Sequence, residues 1–421
     1  MSSDHHHHHH HHHQPNEETS SLRCVASTQD AFKRPVDRRL RPPSLLTHHE
    51  HVAKRSNVFH EAQLSPDGSA IITNNEDQCL RTYPLSADVL DENEEPRLLR
   101  PHDMHLSHSN IQAFAIYPHF NAGDTTSTLI LCGSTDVPIT LRNALALERP
   151  AASYPFVTRT TEEHCPPRSL AFTRDGNHFV AGSDNYLAIF DCYRDGEPPV
   201  SFRKLRSRRA AVQLDSSSFS RSAIIRALDI SSGRTLAVGS FAGEVGLFGN
   251  EGNGACDMVF RIREASGSGV SSLKWSPDGK YLLVAGRKRD DIFVYDIRNT
   301  MSKVSTLTGR RAETLQRLGV DVLQTEHGYE LWAGGTDGCV RKWENPGLAG
   351  GDQAPDAEMR LHDGPVSSAT WHSSGAVMVT CSGELYPSPN LDDSDEESGS
   401  DDEPREDELF VPDNSLKVWA A

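Results

Sequence analysis

Ten basic residues in three separated stretches offer the clearest chemistry in this sequence. Arg287, Lys288 and Arg289 form one run. Arg206, Arg208, Arg209 and Arg221 fall within FRKLRSRRAAVQLDSSSFSR, and Arg310, Arg311 and Arg317 within TGRRAETLQR. All but Lys288 are arginine, whose planar guanidinium matches phosphate oxygens bidentately and stacks on unpaired bases. RNA is the ligand class they suit, and a solvated rim with no ligand is the competing reading. A second charged system has the opposite sign. Leu391 to Glu408 holds eleven Asp or Glu against one Arg, so this segment carries −10 of the net −17. Ser394, Ser398 and Ser400 each have an acid three residues on, a casein-kinase-like context in which phosphorylation adds negative charge. The acidic stretch reads either as a solubilising insertion or as a competitor of RNA for the arginines.

Groups that would support catalysis are missing. No nucleophile stands with a base, and no metal-ligand spacing occurs. Gly249 to Gly254 (GNEGNG) is glycine-rich but follows a strand and precedes no helix, so it reads as a turn. Glu162, Glu163, His164 and Cys165 are adjacent in a loop, where neighbours seldom aim at one point. His362-Asp363-Gly364 suggests a structural hydrogen-bond network, with Asp337 of GTDG as the expected partner. The chain is therefore expected to be no enzyme, and to need neither metal nor cofactor.

Basic residues this far apart share a surface only if the fold gathers them. Ser276-Pro-Asp-Gly279 is a turn, because Pro fixes φ at the second position and Gly takes the strained site. Strands flank it: Val270 to Trp275 leads in, Tyr281 to Ala285 is an unbroken apolar run, and Ile292 to Tyr295 follows a polar loop. A strand without alternation is covered on both faces. The same order recurs seven times, with turn glycines Gly68, Gly123, Gly176, Gly233, Gly279, Gly328 and Gly375 at intervals of 55, 53, 57, 46, 49 and 47. The closing strands read LRTYPL, ITLRNA, LAIFDC, VGLFGN, IFVYDI, VRKWEN and LKVWAA. Four short strands per unit at this period predict an all-β, seven-bladed β-propeller. The units resemble WD repeats at Phe190-Asp191, Tyr295-Asp296, Trp343-Glu344 and the SPDG turns. Arg142-Asn143, Phe248-Gly249 and Trp419-Ala420 depart from that pattern.

A fourth, outer strand is expected after each of the first six endings: near Pro96 to Leu99, Ala151 to Phe156, Val200 to Leu205, Met258 to Ile262, Val304 to Leu307 and Glu358 to Leu361. The seventh blade lacks one within its own stretch, so about residues 45 to 55 are expected to supply it and close the ring, hiding sheet edges. Loops between second and third strands, and connections between blades, leave one face. All ten basic residues therefore converge on one sector of that face. The acidic insertion, Glu384 to Asp413, interrupts blade seven between Met378–Cys381 and Ser415–Trp419 and leaves the same face, as a disordered loop.

The 421 residues divide into a disordered segment 1–44 and a propeller 45–421. His5 to His13 is either a tag or a native run. Lys33, Arg34, Arg38, Arg39 and Arg41 form a candidate nuclear import signal. No apolar run reaches 18 residues, so no membrane span is expected. Eight scattered cysteines without a CxxC pair read as reduced, mostly buried thiols.

Several segments are more specific than generic WD repeats. VFHEAQLSPDGSAIITNNEDQCLRTYPL, CGSTDVPITLRNALALERPAASY, SAIIRALDISSGRTLAVGSFAGEVGLF, AGRKRDDIFVYDIRNT and VTCSGELYPSPNLDDSDEESGSDD resemble the telomerase Cajal body protein family through all seven blades. The resemblance implies a nuclear, non-enzymatic scaffold for small nuclear, small Cajal body or telomerase RNAs and their ribonucleoprotein proteins. In fungal relatives it implies a tie to pre-mRNA splicing. The expected particle holds one monomeric propeller within a larger complex. A protein-only adaptor is the alternative, because Tyr295-Asp296-Ile297-Arg298 resembles the strand ending of receptors of cullin ubiquitin ligases.

Overall fold

The computed structural model describes residues 22–37, 56–206, 218–262, 269–299, 302–385 and 409–421. Seven antiparallel sheets succeed one another along the chain as the blades of a propeller. Blade five shows why each forms. Val270–Trp275 pairs with Tyr281–Gly286, then Ile292–Asp296, then Ser302–Leu307. Its first turn closes on Asp278, whose carboxylate accepts the Ser276 hydroxyl at 2.6 Å and the Lys280 N–H at 3.0 Å. Gly279 sits at φ +72°, where a side chain would be strained.

Apolar residues fill the seams between blades. Leu283, Ala285, Ile292, Val294 and Leu307 of blade five pack on Val320, Leu331, Ala333 and Trp343 of blade six. Trp343 is fully buried and donates its indole N–H to the Thr308 carbonyl at 3.3 Å. Each buried Val, Leu or Ile there contributes about 1.5–3 kcal/mol, so each second strand, covered on both sides, reads as a continuous apolar run.

Closure differs from expectation. The outer strand of blade seven is Arg23–Ser27, antiparallel to Leu416–Ala420; it lies inside the segment read as disordered, and the expected donor, 45–55, falls outside the described residues. Val25 and Ala26 pack in the seam with Phe59, Ile71 and Tyr83 of blade one, which selects this stretch for the position. Blade one is corrected too. Its outer strand is Asp103–Leu106, paired with Cys79–Pro84. The expected Pro96–Leu99 instead gives Arg97–Leu98, which adds in parallel to Arg23–Ser27 as a fifth strand of blade seven. In blade two the outer strand runs Ala146–Tyr154. Blades three to six place theirs at Ser201–Lys204, Cys256–Arg261, Ser302–Leu307 and Ala357–Arg360, matching the sequence reading. Blade five gains a further parallel strand, Gly351–Gln353.

The acidic insertion leaves blade seven after Val377–Ser382 and returns through Leu409–Phe410, which pairs with Val36–Asp37. Ser394, Ser398 and Ser400 lie outside the described residues. His362 does not pair with Asp337. Its Nδ1 stands 3.1 Å from Asp413, the last residue of the insertion, while Asp337 binds Arg341 at 2.7 Å. All eight cysteines are free, five of them buried, and burial pushes the Cys381 thiol up to about 12. Among the described residues, no helix is long and apolar enough to cross a membrane.

Candidate nucleic-acid interface

Arg287, Lys288 and Arg289 occupy the loop between the second and third strands of blade five. Arg206 and Arg221 flank the connection from blade three to four, while Arg311 and Arg317 lie in that from five to six. All leave the same face, because strand direction alternates within each blade. Arg208 and Arg209 fall outside the described residues. Arg206 and Arg221 are exposed, and Arg206 forms an isolated bridge with Phe219. Lys288 is exposed at φ +56°. Arg289 lies over the Phe293 ring at 5.3 Å, which holds its head at the rim. Arg311 is 4.0 Å from Asp337 and Arg317 is 3.7 Å from Glu61. Exposed pairs at such distances contribute about 0–1 kcal/mol, so both arginines can exchange partners.

Arg310 does not belong to this surface. It is 3 % exposed and donates to the Gly334 carbonyl at 3.0 Å and the Leu318 carbonyl at 2.8 Å. Burial lowers its pKa to about 10. Its guanidinium ties the connection from blade five to the second strand of blade six. Its neighbour in sequence, Arg311, takes the solvent side.

Sequence reasoning missed the channel at the centre of the ring. The seven first strands line a cavity of about 360 Å³. Each first strand runs inward from the face that carries the arginines, so its opening residues form the channel mouth. Arg168 directly precedes Ser169–Phe172, and Arg226 is the second residue of Ile225–Ile230. Arg168 is satisfied: Asp184 accepts two bonds at 3.0 Å, and Gln112 a third at 3.0 Å. Arg226 lies over Phe241 at 5.4 Å, and Arg287 covers the same ring at 5.0 Å. The available signal was a charged residue at the start of an otherwise apolar first strand, as in SAIIRALDI.

Further in, Lys274 stands 3.8 Å from Asp321. Burial works against its ammonium, but Asp229 and Asp321 outweigh that and raise its pKa. Asp229 accepts the Trp275 N–H at 2.7 Å, and Asp321 accepts the Trp371 N–H at 2.8 Å. These groups tie neighbouring blades together. The Tyr295-Asp296-Ile297-Arg298 ending is also internally engaged, since Asp296 accepts Arg298 at 3.1 and 2.9 Å.

A family model for the WD domain, G-beta repeat, matches residues 156–191 and 257–296. The Guanine nucleotide-binding protein negative regulator 1 of Schizosaccharomyces pombe is 32% identical over 305 residues, covering 70% of this chain and 72% of that protein. Telomerase Cajal body protein 1 of Bos taurus is 25% identical over 374 residues, and that of Homo sapiens 25% over 367. Those alignments cover 86% and 85% of this chain, which spans only 63% and 61% of the two relatives.

Proposed function

Because the chain belongs to the WD-repeat family that includes the fission yeast negative regulator and the telomerase Cajal body proteins, we propose that it is a non-enzymatic nuclear scaffold for small structured RNA and its ribonucleoprotein proteins. The observation that carries this reading is positional. Arg206, Arg221, Arg287, Lys288, Arg289, Arg311 and Arg317 share one face across four successive blades, with no carboxylate among the described residues closer than 3.7 Å to Arg311 or Arg317. A basic surface of that breadth suits a phosphate backbone, and its arginine content suits unpaired bases beside it. Roles in ribonucleoprotein maturation or pre-mRNA splicing belong to the same proposal. The test is crosslinking of the native protein in cells, followed by sequencing of the bound RNA. Enrichment of small nuclear, small Cajal body or telomerase RNA supports the reading; RNA no richer than from an uncrosslinked control refutes it.

A protein-only adaptor is the second reading; the fission yeast relative, named as a negative regulator of a guanine nucleotide-binding protein, supports it more than the internally engaged strand ending does. A guanine nucleotide-binding protein, or ligase components, recovered without RNA would select it.

A further inference from the structure

At the channel mouth, one arginine lacks what a buried cation needs. Among the described residues, the buried Nε of Arg226 has no hydrogen-bond partner. The charge of Asp184 favours the Arg226 cation, but that carboxylate is already engaged by Arg168. Burial, together with the charges of Arg168, Arg317 and Arg287, lowers the Arg226 pKa to about 10. A buried charged donor left unpaired is a standing cost to the fold that an acceptor would relieve.

The surroundings are rigid. Phe241 donates its backbone N–H to Ile224 at 3.0 Å, and Arg287 donates its own to Gly269 at 2.7 Å. A Cβ on Gly269 would sit 2.1 Å from the Phe241 carbonyl oxygen, so only glycine lets the two segments meet. Phe241 is thereby fixed under two guanidinium groups, Arg226 at 5.4 Å and Arg287 at 5.0 Å. Arg317 stands at the same mouth, 3.7 Å from Glu61.

We infer that this mouth is a binding site for a single phosphate group, with Arg226 donating from within and Arg287 and Arg317 closing from the rim. An oxyanion there supplies the acceptor that Arg226 lacks, and charge-assisted bonds of this kind are the strong ones. The phosphate comes either from RNA held on the arginine face or from a free polyphosphate; the first source rests on the RNA reading proposed above.

The test uses the full chain, inorganic pyrophosphate and a small structured RNA. Pyrophosphate should raise the melting temperature of the wild type. Arg226→Met should remove an unpaired charge, fold at least as stably as the wild type, and bind pyrophosphate about tenfold more weakly. Arg194→Met, at an exposed position in the loop between the third and fourth strands of blade three on the opposite face, should leave pyrophosphate binding unchanged. Arg287→Met provides a second reading of the site should Arg226→Met fail to fold. Weaker RNA binding by Arg226→Met, with pyrophosphate competing for RNA, assigns the phosphate to RNA. Lost pyrophosphate binding with unchanged RNA affinity assigns it to a free polyphosphate. Pyrophosphate binding that is absent, or equal in wild type and both mouth variants, overturns the site. Pyrophosphate binding without any RNA binding leaves the site standing and overturns only the RNA reading.

Discussion

His362 and Asp413, 51 residues apart, form a buried pair in blade seven, with Nδ1 3.1 Å from Oδ2. Hydrogen-bond logic fixes the proton. The Asp413 carboxylate can only accept, so Nδ1 donates to it. Trp419 donates its indole N–H to Thr380 Oγ1 at 2.8 Å, leaving the Thr380 hydroxyl to donate to His362 Nε2 at 2.7 Å. Asp413 also accepts the Ser415 hydroxyl and the Asp363 N–H. The network joins the connection into blade seven to its second and third strands. Asp413→Ala should therefore destabilise the fold by about 2–4 kcal/mol, because it strands several buried donors at once. Urea denaturation measures this; a loss under about 0.5 kcal/mol would dismiss the network.

The same pair sets a pH dependence. Burial lowers the His362 pKa from its ordinary 6.5, so the folded protein holds the neutral ring. Below pH 6.5 the unfolded chain binds a proton that the folded ring refuses, and stability falls as pH falls. Burial would raise the Asp413 pKa, but His362 and Ser415 hold it well below the carboxylate range. Its contribution is present above pH 3.8 and is lost on further acidification. Relative to wild type, His362→Gln should be less stable at pH 7 and lose less stability between pH 6.5 and 4.5. Parallel melting-temperature profiles of both proteins would disprove the assignment.

Arg310 and Arg311 should separate stability from binding. Arg310→Ala leaves the Gly334 and Leu318 carbonyls without a donor and opens a cavity, so a loss of about 3 kcal/mol is expected, with RNA affinity unchanged in the fraction that folds. Arg311→Ala should leave stability within about 0.5 kcal/mol and weaken RNA binding. Measuring both quantities on both variants decides it, and a reversed pattern refutes the two assignments.

This contrast marks where the sequence stops being legible. Turn glycines and apolar second strands gave the seven blades, because local turn chemistry and burial on both sides act within each repeat. Arg310 and Arg311 look alike in TGRRAETLQR, since only the packing of blade five on six decides which one turns inward. Arg23–Ser27 carries too few residues to show a period, and its place comes from a partner strand at the other end of the chain. Pro96 to Leu99 was the expected outer strand of blade one, but pairing with Cys79–Pro84 is a tertiary choice and falls to Asp103–Leu106. Arg226 was not singled out in SAIIRALDI, because its unpartnered Nε depends on how blades three, four and five pack together.

Closure by the N-terminal strand gives a further expectation. Val25 is 3 % exposed within the seam between blades seven and one. Val25→Asp places an unpaired carboxylate there and should cost about 3 kcal/mol or more. Arg23→Ala, which removes an exposed bond to the Leu90 carbonyl at 3.0 Å, should cost about 0.5 kcal/mol or less. Equal denaturation midpoints for the two variants would contradict closure by this strand.

The basic face is tested most directly through salt. Each phosphate neutralised on single-stranded RNA contributes about 0.7 to the slope of log affinity against log salt. Replacing Arg287, Lys288 and Arg289 together with alanine should flatten that slope by up to about 2, with the largest loss of affinity at low salt. Only Arg287 and Arg289 carry ring contacts, and both lie at the rim, so stability should change little. Removing residues 386–408 distinguishes the two readings of the acidic insertion. Steeper salt dependence and tighter binding after removal indicate competition for the arginines, whereas unchanged binding with reduced solubility indicates a solubilising segment. An unchanged slope in the triple variant would mean that this loop does not meet RNA, whatever the deletion does.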